Sequence, residues 1–272
     1  MSFLKMIVFA SLAGPLSAIP SFFQSAAYLP TAQSLEEHSS APLAPPAGKP
    51  RAYRVHHAKS AVEVDGKLEK KEWRQAEWTE DFVDIEGTSE PKPRFRTRAK
   101  MLWDDRYLYI AAELEEPDVK ASITQHDAVI FHDNDFEVFL KPIPSEEGYF
   151  EFEMNALNTG WDLYLAKPYR LGGHADNSFE LAGSQTAVAI QGTLNKSADK
   201  DKGWTLEIAI PWTAFASRQV VPKPEVGSTW RVNFSRVEWK PGQKREDNWV
   251  WSPQGVINMH IPERWGYLEF EN

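Results

Sequence analysis

The sequence predicts an all-β protein, a β-sandwich of immunoglobulin-like or jelly-roll type with one or two short helices. Three observations lead there. Short runs of alternating apolar and polar residues recur along most of the chain, the period of a strand with one packed face. Turn residues (Gly, Pro and Asp) separate these runs at short intervals. Helical spacing is confined to one brief segment and one single turn.

The chain has 272 residues, 42% hydrophobic and 12% aromatic, enough for one large all-β domain with a proper core or two small ones. Cysteine is absent, which excludes a disulfide framework, a thiolate zinc site and a cysteine nucleophile. A formal charge of −9 argues against nucleic acid, whose binders need a basic footprint. No internal repeat is visible.

The first 27 residues read as a secretory signal. Lys5 precedes the apolar run Met6 to Leu16, and Ser25-Ala26-Ala27 offers small residues for cleavage. A buried N-terminal helix would be broken by Gly14 and Pro15. Residues 28–52, with Pro42, Pro45, Pro46 and Pro50, cannot bury a core and read as a disordered Pro/Ala-rich tether. The folded domain is therefore expected over 53–272. After the first thirty residues no apolar run is long enough to span a membrane. The expected location is secreted, periplasmic or at the cell surface.

Within the domain, Val62 to Gly66 reads as a short strand entering a turn. Leu68, Trp73 and Ala76 are spaced for one short amphipathic helix, with Trp73 and Trp78 as core anchors. Ala99–Trp103 is a strand, turned by Asp104-Asp105 into Tyr107–Leu114. A loop with Asp118, His126 and Asp127 leads to the most patterned stretch, Phe136–Leu140 and Tyr149–Asn155. Here Phe136, Val138 and Leu140 share one face, and Asp135, Glu137 and Phe139 the other. Phe150, Phe152 and Met154 likewise oppose Glu151, Glu153 and Asn155. Paired antiparallel, the two strands bring Glu137, Glu153 and Asn155 together on a water-facing polar surface. Tyr169–Ser178 reads as a surface loop. Thr186–Leu194, Trp204–Ile210, Trp230–Val237, Trp249–Ser252 and Tyr267–Phe270 supply further strands, and Pro211-Trp212 starts a single helical turn through Phe215.

Several residues offer chemistry. Glu137 and Glu153 face each other as the carboxylates of a retaining glycosidase would. Equally, Arg231 and Arg236 on a similar strand offer them ion pairs, and carboxylates beside arginines also suit sugar hydroxyls. Asp118, Asp127, Asp133, Asn134 and Asp135 crowd hard oxygen donors suited to calcium, or are simply solvated turn acids. His126 and His132 flank that cluster and fit no zinc motif. Trp161, Trp249 and Trp251 lie beside polar or loop positions and are candidates for stacking on a sugar ring.

Five phrases taken together resemble the family 9 carbohydrate-binding modules and their DOMON-like relatives. They are Val64-Asp65-Gly66-Lys67-Leu68 with Trp73 and Ala76; Leu102-Trp103-Asp104-Asp105 with Tyr107-Leu108-Tyr109; Asp135-Phe136-Glu137-Val138-Phe139; Trp204 through Glu207 to Pro211-Trp212; and Pro262 with Trp265-Gly266. The resemblance runs from about Tyr53 to the C-terminus in the family order. It implies a β-sandwich, structural calcium, and sugar bound between two aromatic side chains. Glu137 falls where such modules place a sugar-binding glutamate. Phe131 or His132 falls near the first aromatic, and Asn258 with His260 near the last asparagine and aromatic. Glu153 stands where the modules carry an arginine.

The expectation is an exported, non-catalytic carbohydrate-binding protein active in polysaccharide recognition or breakdown. Its partners would be an oligo- or polysaccharide and a glycoside hydrolase. The sugar site would comprise Phe131, His132, Glu137, Glu153, Asn155, Trp161, Asn258 and His260, with calcium on Asp118, Asp127, Asp133 and Asp135. Two alternatives stand beside it. One is a haem b carrier of the DOMON-like type, for which Met154, Met259 and His260 are the available ligands. The other is a glycoside hydrolase using Glu137 and Glu153.

Overall fold

A computed structural model describes residues 48–272. The expected signal segment, 1–27, and residues 28–47 of the expected tether lie outside the described residues. Thirteen strands follow: β1 (Ala52–His57), β2 (Val83–Asp84), β3 (Thr97–Trp103), β4 (Tyr107–Glu115), β5 (Asp135–Lys141), β6 (Tyr149–Asn155), β7 (Gly160–Leu165), β8 (Ala175–Asp176), β9 (Gln185–Gln191), β10 (Gly203–Pro211), β11 (Thr229–Glu238), β12 (Asp247–Val250) and β13 (Gly266–Glu271). They form one sheet in the order β8-β7-β6-β5-β11-β13-β1-β3-β4-β10-β9, with β12 on β11 and β2 on β12. Every pairing is antiparallel except those of β1, which runs parallel to both β13 and β3. The sheet curls about that seam, so its two flanks face each other as the layers of a sandwich.

The alternation explains the core. Phe136, Val138 and Leu140 of β5 and Phe150, Phe152 and Met154 of β6 meet Trp204, Leu206, Ile208 and Ile210 of β10 in one buried cluster. Trp249 and Trp251, read as stacking candidates, belong to it as well, and Trp251 Nε1 donates to Glu80 at 3.0 Å. Both therefore serve the interior. Sequence context placed them beside polar residues, but β12 pairs with β11 at Trp249, and Trp251, just past β12, stays tied to β11 by its N–H to the Phe234 carbonyl.

Unlike a simple sandwich, much of the outer surface is covered too. Over β3, β4 and β10 lies the segment 58–76, whose Ala58, Val62, Trp73 and Ala76 pack on Leu102, Tyr109, Ala111 and Ala209. Glu207 of β10 draws this segment in. Its carboxylate accepts from Asp65 N (2.8 Å), Gly66 N (2.6 Å) and Trp73 Nε1 (2.5 Å), and pairs with Lys70. Gly66 is needed there: its φ is +80°, and a Cβ would stand 2.7 Å from the Val188 carbonyl carbon. The expected helix over Leu68–Ala76 shrinks to a 3₁₀ turn, Glu72–Gln75. Nine residues cannot hold a helix unaided, so the anchors on Glu207 choose the conformation. Helical structure among the described residues amounts to five such turns, the others being Ile130–His132, Tyr169–Leu171, Trp212–Ser217 and Pro262–Arg264. No helix there is long and apolar enough to cross a membrane.

Candidate functional site

On the opposite flank the outer surface of β5, β6, β7 and β11 carries the residues read as polar and wet. The register places Ser235, Glu137, Glu153 and Trp161 in one row across four strands. Asn233, Phe139, Glu151 and Leu163 form the next, and Asp135 lies opposite Asn155 at the strand end. Glu137 and Glu153 are thus direct cross-strand partners, as the alternation implies. The face is not wet, however. Ile85, Ile130, Met259 and Trp265 pack over it with Phe139, Trp161 and Leu163 as a second apolar cluster. Asp135, Glu137 and Glu153 keep only 0%, 5% and 2% of their surface. The period of a strand shows that it has two faces; it cannot show which loops return to cover one.

What remains open is a cleft enclosing about 100 Å³. Its floor is Glu137, Glu151 and Glu153, its walls are Phe131, Trp161, Tyr169 and His260, and Glu246 and Asn248 stand at its rim. Phe131 and Trp161 lie with centroids 6.4 Å apart and planes 28° from parallel. Trp161 Nε1 donates to Asn177 Oδ1 at 3.2 Å, which holds the indole in place. Across the cleft His260 packs edge-on against Tyr169 (4.6 Å) and Phe139 (5.8 Å), and shares a 2.9 Å hydrogen bond with the Tyr149 hydroxyl through Nδ1. Burial pushes the His260 pKa down to about 3, so the ring is neutral.

The floor is electrostatically tense. One oxygen from each of Asp135, Glu137 and Glu153 falls within 4.8 Å of the others. Burial, and then the neighbouring Glu137 carboxylate, push both Asp135 and Glu153 well above the ordinary carboxylate range. Single backbone donors, Val237 N to Asp135 and Phe131 N to Glu153, oppose this only in part. The arginines expected as partners are engaged elsewhere. Arg236 is buried on the other face of β11, 2.8 Å from both Glu116 and Glu238. Arg231 donates to the Glu263 carbonyl and lies over the Tyr267 ring.

Of the residues expected to hold sugar, Phe131, Glu137, Glu153, Trp161 and His260 meet in the cleft. His132 does not: it is exposed and lines a separate cavity with Asp118, Asp133 and Trp239. Asn155 is wholly buried, donating to the Ile123 carbonyl and Asp133 while accepting from Leu157 N and Thr159 N. Its work is to brace two loops. Asn258 stands outside the cleft lining and accepts from His260 N at 2.7 Å, which positions that ring. Glu151, Tyr169 and Met259 belong to the cleft although the expected sugar site did not include them. Glu151 was visible in the same alternation; Tyr169 and Met259 come from loops whose course no local pattern reveals. Met154 lies in the main core, away from Met259 and His260.

The four aspartates expected to bind calcium do not share one centre. Asp118 pairs with Lys120 at 2.6 Å. Both oxygens of Asp133 are taken, by Ser122 N, Ser122 Oγ and Ile123 N. Asp127 sits beside His126 and Glu180, and Asp135 joins Glu137 and Glu153; these are the two groups of metal-type donors among the described residues.

Over 80% of its length the chain is similar to a family 9 carbohydrate-binding module from Caldicellulosiruptor kristjanssonii in complex with cellotriose, 94% of which is covered, with 16% identity and a TM-score of 0.55. The structure of such a module from that organism with glucose gives the same identity and score, with 80% and 96% covered. A candidate carbohydrate-binding protein from Bacteroides uniformis is similar over 81% of this chain and 99% of its own, at 17% identity and a TM-score of 0.62. At such identities the likeness is one of fold. No curated relative is found by sequence. The model of the carbohydrate family 9 binding domain-like family matches residues 64–272, and the chain belongs to that family.

Proposed function

We propose that this protein is exported and binds carbohydrate, without cleaving it, in the cleft between the Phe131–Trp161 wall and the Tyr169–His260 wall. The observation that carries the reading is the pairing of an aromatic-walled cleft with a floor of carboxylates, on a chain of this family. Aromatic faces take the C–H faces of a sugar ring, while carboxylates accept hydrogen bonds from its hydroxyls. That combination is the usual make-up of a small-molecule site: apolar walls with a few convergent polar groups. Export is supported by the Lys5, Met6–Leu16 and Ser25-Ala26-Ala27 pattern, which directs the protein to the outside, the periplasm or the cell surface. There it would serve polysaccharide breakdown beside a partner glycoside hydrolase.

The test is a glycan array that includes cellotriose and glucose, followed by calorimetric titration of the hits and a reducing-sugar assay on the same samples. Saturable binding with no released reducing ends is the expected result. Hydrolysis that vanishes in both Glu137→Gln and Glu153→Gln would make the protein a glycosidase, and a blank array would remove the carbohydrate reading.

A further inference from the structure

We propose that Asp135, Glu137 and Glu153 hold a divalent cation of the calcium type on the floor of the cleft, and that its open coordination positions receive hydroxyls of the bound sugar. The second half rests on the carbohydrate reading above; the cation site stands without it.

Three buried carboxylates on two directly paired strands place an oxygen each within 4.8 Å of one another. Calcium takes its oxygen ligands at about 2.3–2.6 Å, so two donors of one shell stand at most about 5 Å apart, and the group fits inside that limit. The donors are all hard oxygens, with neither imidazole nor thiolate among them, which favours calcium over zinc or copper. A second observation points into the cluster. Asp135 is fully buried, its Oδ1 accepts from Val237 N at 3.3 Å, and its Oδ2 has no hydrogen-bond partner. A buried carboxylate oxygen left so is costly unless something positive meets it.

Protein cations do not meet it. Among the described residues no Lys, Arg or His is ion-paired with Asp135 or Glu153, and the charges acting on both are other carboxylates, chiefly Glu137. The position is also right for a bridge. Glu137 and Glu153 line the cleft while Asp135 does not, so a cation among the three is held by protein on one side and faces the ligand space on the other. Offering one oxygen each, the three carboxylates supply fewer than the six to eight ligands calcium takes, so positions remain for hydroxyl oxygens.

The experiment uses the full chain stripped of metal with a chelator. Calcium chloride is titrated by calorimetry into the wild type, Asp135→Asn, Glu153→Gln and Asp118→Asn, each checked for folding by near-ultraviolet circular dichroism. One calcium per wild-type chain is expected. Loss of an inner ligand should weaken it by more than ~100-fold, since even outer partners of a metal site are worth about 10–100-fold. Asp118→Asn should bind as the wild type does. Should the cluster variants fail to fold, terbium luminescence of the wild type excited through tryptophan serves instead. Trp161, across from Glu153 in register, is placed to sensitise the ion, and calcium should displace it. No calcium heat and no terbium emission would overturn the proposal, as would unchanged affinity in folded Asp135→Asn and Glu153→Gln. The glycan array is then run in calcium and in chelator. Binding that needs calcium supports the bridge, and equal binding in both overturns the bridge while leaving the sugar reading intact. Calcium held at the cluster with a blank array would keep the cation site and overturn the sugar reading.

Discussion

At the scale of single residues, two buried titratable groups near the cleft pull stability in opposite directions with pH. His260 has its pKa lowered to about 3, so its contribution is present above the ordinary histidine range and is lost as pH falls from there. Asp162 does the reverse. Desolvation lifts its pKa from 3.8 to about 6, although Leu181 N donates to Oδ2 at 2.6 Å and His126 stands 3.7 Å from Oδ1. The native state therefore binds the extra proton between those values. Stability from this group is full below about pH 4 and declines as pH rises through about 6, by on the order of 3 kcal/mol. Asp162→Asn keeps an acceptor for Leu181 N and cannot ionise. The difference in melting temperature, variant minus wild type, should therefore grow as pH rises from 4 to 7. A difference flat across that range would show that the carboxyl stays ionised throughout. A separate outcome is expected for Glu137: if a sugar hydroxyl donates to it directly, Glu137→Gln should cost roughly 1.5–3 kcal/mol of sugar affinity, read by calorimetry.

At the scale of elements, the hairpin of β5 and β6 was legible almost to the residue: the runs Phe136–Leu140 and Tyr149–Asn155 fall within one residue of the strand limits, because alternation specifies which side chains stand opposite. β1 and β7 were not. The first follows a Pro-rich stretch and ends in two histidines, and the second is a six-residue strand behind the tight turn that Asn155 caps. The carboxylates of the cleft could be read from the pattern, but not their burial; Phe139, lying among them, was the one local sign of an apolar cover. The phrase around Asp65 and Gly66 was legible as a turn, yet its purpose lies 142 and 141 residues away at Glu207. That dependence can be measured. Glu207→Ala would leave Lys70, the Trp73 indole and two backbone N–H groups without their acceptor on the outer face of β10. Removing one partner of a buried ion pair costs about 3–5 kcal/mol. Urea denaturation should show a midpoint lowered accordingly, and proteolysis of the native variant should begin within 58–76. Wild-type stability in Glu207→Ala would mean that apolar packing alone holds that segment down.

At the scale of the whole molecule, the decisive element is β1, because the curled sheet closes through it. The family match begins at residue 64, beyond this strand. Yet β1 stands in the middle of the sheet, between the C-terminal strand β13 and β3, in parallel register with both. Tyr53 and Val55 are core residues, and the Tyr53 hydroxyl donates to the Glu77 carbonyl at 2.6 Å and accepts from Met101 N at 3.0 Å. Without β1 the two flanks lose their seam: β13 and β3 become unpaired edges facing a gap that used to be filled by apolar side chains. Such edges favour pairing between molecules. A chain trimmed to 51–272 should therefore unfold cooperatively, with one sharp thermal transition and dispersed amide resonances. One trimmed to 64–272, although it keeps everything the family model matches, should aggregate or melt without a transition. Adding back a peptide of residues 51–60 to the shorter chain should restore part of the lost structure, since the vacated slot offers backbone partners on both sides. A monomeric 64–272 fragment melting at the temperature of the longer one would show that the two flanks hold together through their side chains alone, and that β1 only lies between them.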